Sequence, residues 1–496
     1  MRPSIRKKHP RSWKRAKART RKVAPCAANS ARSSWEGYKP HLHEEARLIR
    51  TADDHPIEKR RGAKRVAEGL RRAGFEAYFV GGCVRDFVRG VTPGDYDIAT
   101  SAPPDQVIRL FERTVAVGAR FGVVVVLEDG FPYEVATFRS DDVYEDGRRP
   151  TQVRFSSSRE DVLRRDFTIN GLLMDPETNA VIDYVDGCAD IGKKIIRTIG
   201  DPSVRFNEDY LRMLRAVRFA ANLDFDLEDN VRDAIERHAA KIRQISVERV
   251  QGELNKIITR SGARRGLELM AETGLLKQIL PEVDRMRGVE QPPRFHPEGD
   301  VWRHTLIMME LLSGESKPEA DAALAWGALL HDVGKPATRT EDENGVHFYG
   351  HVKLGESIAD DVMRRLRFSR TLREKVLDLV RRHMTFMNVQ KMRPARLKRF
   401  LRMPNFHLHL QLHRLDCLAS HGMLDHYAFC QEQLQKAGPE ELHPPRLLTG
   451  DDLLAMGYAP GKRMGEMLRA LEEEQLENRI QDREEAMAFV QNRWKV

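Results

Sequence analysis

Apolar residues along this chain change their period twice, and the changes mark out its parts. Over residues 57–73 they recur at helical spacing, and the apolar run at 77–80 reads as a strand ending in Gly81-Gly82. Further strands are predicted at 96–100, cut off by Pro103-Pro104, at the Val-rich 122–127, and at 133–138. Two helix–strand alternations with short loops predict a small α/β head. Residues 139–154 are polar, contain Gly147 and Pro150, and read as a loop. Past about residue 203 strand signals fade, and the helical period predicts helices at 206–223, 230–240, 247–259 and 263–273. A second all-helical block runs over 300–435, Pro439, Pro444 and Pro445 mark a linker, and a small helical cap closes the chain. The fold class is α+β: a small mixed-sheet head followed by helices only. The expected divisions are a basic, disordered tail at 1–55, the head at 56–190, a helical neck and body at 191–290, a further helical domain at 291–437 and the cap at 438–496.

Composition changes this picture little. A chain of 496 residues exceeds the ~250–300 that one core supports, which agrees with several domains. No run approaches the ~18 apolar residues of a membrane span, and the N-terminus has no apolar signal core. The five cysteines, Cys26, Cys83, Cys188, Cys417 and Cys430, are scattered and form no CxxC pair, which argues against a disulfide framework and fits a cytoplasmic location. Charge is unevenly placed. Residues 1–35 hold twelve Lys and Arg and no acid, so the net charge of +9 becomes −3 without them. Such an arm can bind phosphate backbones. A tail without a dedicated role, a mis-assigned upstream start and an organelle transit peptide are the other readings.

The chemistry concentrates in YFVGGCVRDFVRGVTPGDYDIAT, residues 78–100. A strand runs into Gly81-Gly82 and a helix carrying Arg85 follows; without Cβ atoms, backbone N–H groups can approach a phosphate closely. Asp95 and Asp97 are two apart, so on a strand both carboxylates share one face. Paired carboxylates repel unless a cation lies between them, the arrangement that holds Mg²⁺ for phosphoryl transfer. Glu134, in the apolar strand PYEVATF, is a third acidic candidate, because a carboxylate among apolar neighbours is costly unless paired or metal-bound. A GG pair or a DxD alone is weak; the two in this order are specific.

This segment resembles the active-site motif of the polymerase-beta nucleotidyltransferase superfamily, and in particular CCA-adding enzymes and bacterial poly(A) polymerases. Three more blocks match in order across roughly residues 60–290. LRRDFTIN at 163–170 resembles the ribose-recognition motif, which implies sugar and phosphate contacts from Arg165, Asp166 and Asn170. DYVDGCADIG at 183–192 resembles the hinge between head and neck, and EDYLRMLRAVR at 208–218 the base-recognition helix. On that helix Asp209 and Arg212 would share a face. Asp only accepts and Arg only donates, so together they match the amine and ring nitrogen that both C and A present. U and G would leave buried groups unpaired, at about 1–3 kcal/mol each. Arg215 and Arg218 continue the face toward a triphosphate. The resemblance implies template-independent addition of CCA to the tRNA 3′ end from CTP and ATP.

In the second helical block, His304, the adjacent His331-Asp332 of LLHDVGKP, and Asp416 resemble an HD domain, a metal-dependent phosphohydrolase fold. The resemblance implies these four as ligands of a transition metal such as Ni²⁺, Mn²⁺ or Fe²⁺, with His351 and His383 extending the site. A hydrolytic activity on RNA ends is one expectation, a scaffold for tRNA the other. Poly(A) synthesis and partial CC or A addition share the head motifs. The C-terminal stretch LLTGDDLLAMGYAPGKRMGEML resembles the end of HD-bearing CCA-adding enzymes, and by the same resemblance the loop at 139–154, which CC-only members are expected to lack, implies completion with A. A dedicated HD phosphohydrolase with an inert head, and a non-catalytic RNA-binding protein, are the readings from other classes.

Overall fold

A computed structural model describes residues 55–118, 122–141, 153–315 and 319–494. The basic tail and most of the loop at 139–154 lie outside the described residues. The chain divides into two compact units, up to Lys193 and from Lys194 onward. No helix among the described residues is long and apolar enough to cross a membrane.

In the first unit, helix α1 (His55–Arg72) is followed by β1 (Ala77–Val80), α2 (Gly82–Val88), β2 (Asp97–Thr100), α3 (Pro104–Leu110), β3 (Thr114–Gly118), β4 (Val123–Glu128) and β5 (Phe131–Thr137). A two-stranded pair, β6 (Arg139–Asp141) and β7 (Val153–Phe155), precedes α4 (Ser158–Leu163), β8 (Leu172–Met174), β9 (Val181–Asp183) and α5 (Gly187–Lys193). Seven strands form one sheet in the order β3-β4-β5-β2-β1-β8-β9. The sheet is mixed, as expected, because β2 runs parallel to β5 while its other pairings are antiparallel. Three of its strands escape the sequence reading. With three residues each, β8 and β9 are too short for a period to register, and β3 (TVAVG) ends in glycine and has no punctuated apolar run of its own. Phe79, Ile98, Val135, Leu172 and Met174 are buried on one face of it, and Val80, Ala99, Leu173, Phe138 and Val162 form an apolar cluster on the other.

Arg71 fastens α1 to the sheet. Its guanidinium donates to the Ala77 carbonyl and, at 2.9 Å, to Asp175 Oδ2, whose other oxygen caps the amides of Glu177 and Thr178. Burial opposes ionisation of Asp175, but the Arg71 hydrogen bond and the two amides outweigh it and bring its pKa down to about 2. A depressed carboxylate pKa stabilises the fold at neutral pH, and that stability is lost as pH falls through the folded value. Asp175→Asn is therefore expected to lower head stability by about 1–2 kcal/mol at pH 7, the shift being discounted for partial exposure. The gap to wild type should narrow as pH falls from about 4 through about 2 in paired denaturation curves; a gap independent of pH would refute the assignment.

In the second unit the helix predicted over 206–223 is two helices, α6 (Pro202–Glu208) and α7 (Leu211–Leu223). Asp209 between them is extended, with φ −156° and ψ 104°. Its carboxylate accepts from the Leu211 amide at 3.1 Å, a local bond that competes with helix continuation. Helices α8 (Asp229–His238), α9 (Val247–Thr259) and α10 (Ala263–Glu272) follow close to expectation. Gly262 opens α10 at φ +81°, where a Cβ would lie 2.1 Å from the Ala221 carbonyl oxygen, so this corner admits only glycine. The later helices Val301–Glu315, Ala322–Leu330, His351–Arg365, Arg370–Arg382 and Phe406–Ala419 build the second block. A short hairpin, Thr340–Asp342 with Gly345–His347, interrupts it, where only helices were expected. The C-terminal segment has its own apolar cluster of Leu448, Leu453, Tyr458, Met464, Met467 and Leu471.

Candidate functional sites

The head site is built where β1 ends. Gly81 sits at φ +71° and ψ −129°, a conformation open only to glycine. A Cβ on Gly81 would lie 3.6 Å from Arg165 Nη1, and one on Gly82 3.7 Å from Arg85 Nη2. Two guanidinium groups thus flank the glycine corner, and both are held. Asn170 Oδ1 accepts from Arg85 Nη1 at 2.9 Å, and Asp86 accepts from Arg85 Nε and Nη2. Asp161 accepts from Arg165 Nε and Nη2 at 3.2 and 3.0 Å, and from Arg164 at 2.6 Å. Burial opposes ionisation of Asp161, but Arg165 and Arg164 outweigh it and hold its carboxyl below the usual range. Asp161 escapes the sequence reading; it lies on α4, and Arg164 and Arg165, three and four residues on and just past the helix end, reach back to it. Asp166 caps its own turn through the Phe167 amide.

The acidic face lies on the neighbouring strands. β2 begins at Asp97, with Asp95 just before it; both are exposed while Tyr96 between them is buried, so the two carboxylates share a face. The parallel register Ile98↔Val135 puts Asp97 level with Glu134 on β5. Protein crowding around Asp97, although solvent reaches it, pushes its pKa up to about 6, and the charges of Glu134 and Asp95 add to this while Arg165 opposes it. Like charges held this close, with a guanidinium nearby, suit a metal–triphosphate. Lys59, not anticipated from sequence, donates to Asp95 Oδ1 at 2.7 Å and to the Gly94 carbonyl at 2.8 Å.

The residues expected to read the base lie in the second unit, and the structure corrects their geometry. Asp209 is outside the helix, so it does not share a helical face with Arg212. Each has another partner. Asp209 accepts from Arg249 on α9 at 2.6 and 3.2 Å, while Arg212 donates to Glu208 and, at 2.8 Å, to the Arg205 carbonyl. Arg218 is buried and donates to the buried Glu253 at 2.5 Å. Arg215 lies close enough for its charge to act on the same carboxylate.

The second block gathers its histidines deeply. His304 comes from Val301–Glu315, His331 and Asp332 follow Ala322–Leu330, His351 opens His351–Arg365, His383 follows Arg370–Arg382, and Asp416 lies on Phe406–Ala419. Gly334 makes the packing possible: a Cβ there would lie 2.2 Å from the His351 carbonyl oxygen. The ligand atoms converge in two groups, His304 with His331 and Asp416, and Asp332 with His351 and His383. The four expected ligands are therefore divided between the groups. Burial would lower the His304 pKa, but hydrogen bonding to Asp416 and Glu298 outweighs it and raises it to about 9. Burial is the main cause that brings His383 down to about 4. Glu298, absent from the sequence reading, has Oε1 2.7 Å from His304 Nδ1 and 2.9 Å from His296 Nδ1, the outer partner that orients a ligating imidazole. Imidazole and carboxylate donors at this density suit a first-row transition metal.

Corner, acidic face and His–Asp centre define a class of chain that joins a polymerase-type nucleotide-transfer head to an HD domain. Three family descriptions match in order: "Poly A polymerase head domain" over 77–197, "Probable RNA and SrmB- binding site of polymerase A" over 224–287, and "HD domain" over 301–418. A CCA-adding enzyme of Levilactobacillus brevis is 48% identical over 223 residues, which are 45% of this chain and 56% of that protein. The chain thus spans little more than half of that relative's length. One of Bacillus licheniformis is 38% identical over 322 residues, 63% of this chain and 80% of that protein. The crystal structure of the Bacillus stearothermophilus CCA-adding enzyme in complex with CTP superposes with a TM-score of 0.64 at 27% identity, covering 88% of this chain and 98% of that one. The chain belongs to the CCA-adding enzyme family.

Proposed function

We propose that this protein adds C, C and A to the 3′ end of tRNA, taking CTP and ATP and releasing pyrophosphate, in the cytoplasm. The observation that carries the reading is the head corner: Gly81-Gly82 flanked by Arg85 and Arg165, beside the shared face of Asp95, Asp97 and Glu134. The RNA 3′-hydroxyl attacks the α-phosphorus of the nucleotide in line. Asp95 and Asp97 would hold Mg²⁺, which when bound would supply activation of that hydroxyl and neutralise the leaving oxygens. Arg85 and Arg165, fixed by Asn170, Asp86 and Asp161, hold the phosphates, and Asp166 and Asn170 meet the sugar. Asp209, oriented by Arg249, and Arg212, oriented by Glu208, present an acceptor and a donor to the base. Arg215 acts on the triphosphate. The CTP bound to the Bacillus stearothermophilus relative supports the nucleotide choice. The His–Asp centre is read as a separate site for a metal such as Ni²⁺ or Mn²⁺, with hydrolysis of phosphate esters as its activity.

The test uses purified protein, Mg²⁺, CTP, ATP and tRNA lacking its last three nucleotides, with products resolved to single nucleotides. A stop after three additions is the expected result. Long A tails would replace the reading with poly(A) synthesis; a stop after two, or A added only to tRNA ending in CC, would make it a partial enzyme.

A further inference from the structure

We propose that Lys59 is the residue that positions Asp95 for the cation of the head site. The inference rests on the reading of Asp95 and Asp97 as metal-holding carboxylates and concerns how the first of them is kept in place. The two acids are not held alike. Asp97 lies within β2, opposite Val80 of β1, so the ladder fixes the backbone that carries it. Asp95 precedes the strand, and its side chain is 88% exposed. Neither ladder pairing nor packing selects one rotamer for it, and exposed side chains exchange staggered wells within nanoseconds. A carboxylate that is ordered only as the ion arrives binds more weakly, by the entropy of that ordering.

The tether comes from α1. Lys59 Nζ donates to the Gly94 carbonyl at 2.8 Å and to Asp95 Oδ1 at 2.7 Å, a fork that grips the residue before the acid as well as the acid itself. The Lys59 side chain is itself mostly covered, at 29% exposure. Its backbone is fixed to the strand that carries the third acid. Tyr133, buried and next to Glu134 on β5, donates from Oη to the Lys59 carbonyl at 2.9 Å. One helical turn on, a Cβ at Gly62 would lie 2.3 Å from Tyr133 Oη, so glycine lets the phenol reach the helix. Arg60 Nη2 donates to Asn179 Oδ1 at 2.6 Å, which anchors the same turn to the bend between β8 and β9. Lys59 is thus a strut from β5 to the stretch ahead of β2. Among the described residues Asp95 Oδ2 accepts no hydrogen bond, which leaves that oxygen to an ion. Two effects of the ammonium compete. As an exposed charge near a cation it repels, an effect that water and salt screen to a few-fold. As the partner that orients a ligating carboxylate it strengthens binding, and such partners typically change metal affinity about 10–100-fold when removed. Orientation is the larger.

The experiment titrates the full-length chain with Mn²⁺, reading the free ion by electron paramagnetic resonance. Binding that is lost in Asp95→Ala with Asp97→Ala belongs to the head, which separates it from any ion held by the His–Asp centre. Lys59→Met, which keeps the stem and loses the charge, is expected to weaken head binding about 10-fold. The Mg²⁺ concentration for half-maximal addition of CMP to tRNA should rise by a similar factor, with kcat at saturating Mg²⁺ largely restored. Lys59→Arg, which can still donate to both oxygens, should recover most of the loss. Thermal melts of both variants should match the parent; a merely structural role would move the melt and leave the Mn²⁺ isotherm of the folded chain where it was. Unchanged or tighter Mn²⁺ binding in Lys59→Met would overturn the proposal, as would an effect confined to the KM for tRNA. If the parent binds no more Mn²⁺ than the Asp95→Ala, Asp97→Ala variant, the metal reading beneath the proposal falls with it.

Discussion

Replacing Asp95 and Asp97 together by alanine is expected to slow nucleotide addition by about 10³-fold or more, equivalent to about 4 kcal/mol of transition-state stabilisation. On the proposed reading the reason is the charge that gathers on a triphosphate during in-line displacement, which the paired carboxylates would counter only through a cation they hold. Stability should hardly change. Asp95 is 88% exposed and its partner is the surface Lys59, a pairing of small net value. Asp97 gains by neutralisation, since crowding and neighbouring acids already raise its pKa. Single-turnover extension of tRNA, followed beside a thermal melt, separates the two quantities. Activity within tenfold of wild type, in a folded variant, would move the chemistry away from this face.

The second large effect concerns Arg218 and Glu253. Their side chains are 9% and 6% exposed, and the pair is joined at 2.5 Å. Removing one partner of a buried ion pair strands the other, at about 3–5 kcal/mol, whereas replacing both by apolar residues is often nearly neutral. Arg218→Met should therefore lower the denaturant midpoint of the helical unit sharply, and Arg218→Met with Glu253→Met should recover most of the loss. The pair of variants also weighs the sequence expectation that Arg218 meets the triphosphate. If it does so, the double variant will be stable but weak for CTP and ATP. A loss below about 1 kcal/mol in the single variant would show that the pair carries no such weight.

What could be read in advance follows the length and locality of each signal. The glycine corner and the Asp95–Asp97 alternation depend on neighbours in sequence; β1 delivers the corner, while β2 begins only at Asp97 and leaves Asp95 just ahead of the strand. Helices α9 and α10 fall within a residue of their expected ends because their apolar period runs unbroken for about three turns. The break at Asp209 was hidden, since Leu211 to Leu223 continues the helical pattern across it and the competing bond is made by one carboxylate to one amide. Partners far apart in the chain were illegible. Lys59 with Asp95, Arg249 with Asp209 and Glu298 with His304 each need the fold to meet. His351 and His383 were visible as histidines, but only the fold groups them with Asp332.

The placement of Asp209 off the helix has a meaning for information as well as for geometry. An enzyme without a nucleic-acid template must store its text somewhere, and on the proposed reading part of that text is the position of one carboxylate. That position is written by Arg249, on α9, forty residues further along the chain. On that reading the instruction for which base comes next would be spelled in the packing of helices, and a substitution that merely shifted α9 would be a misprint, altering the message while the machinery that transcribes it stayed intact.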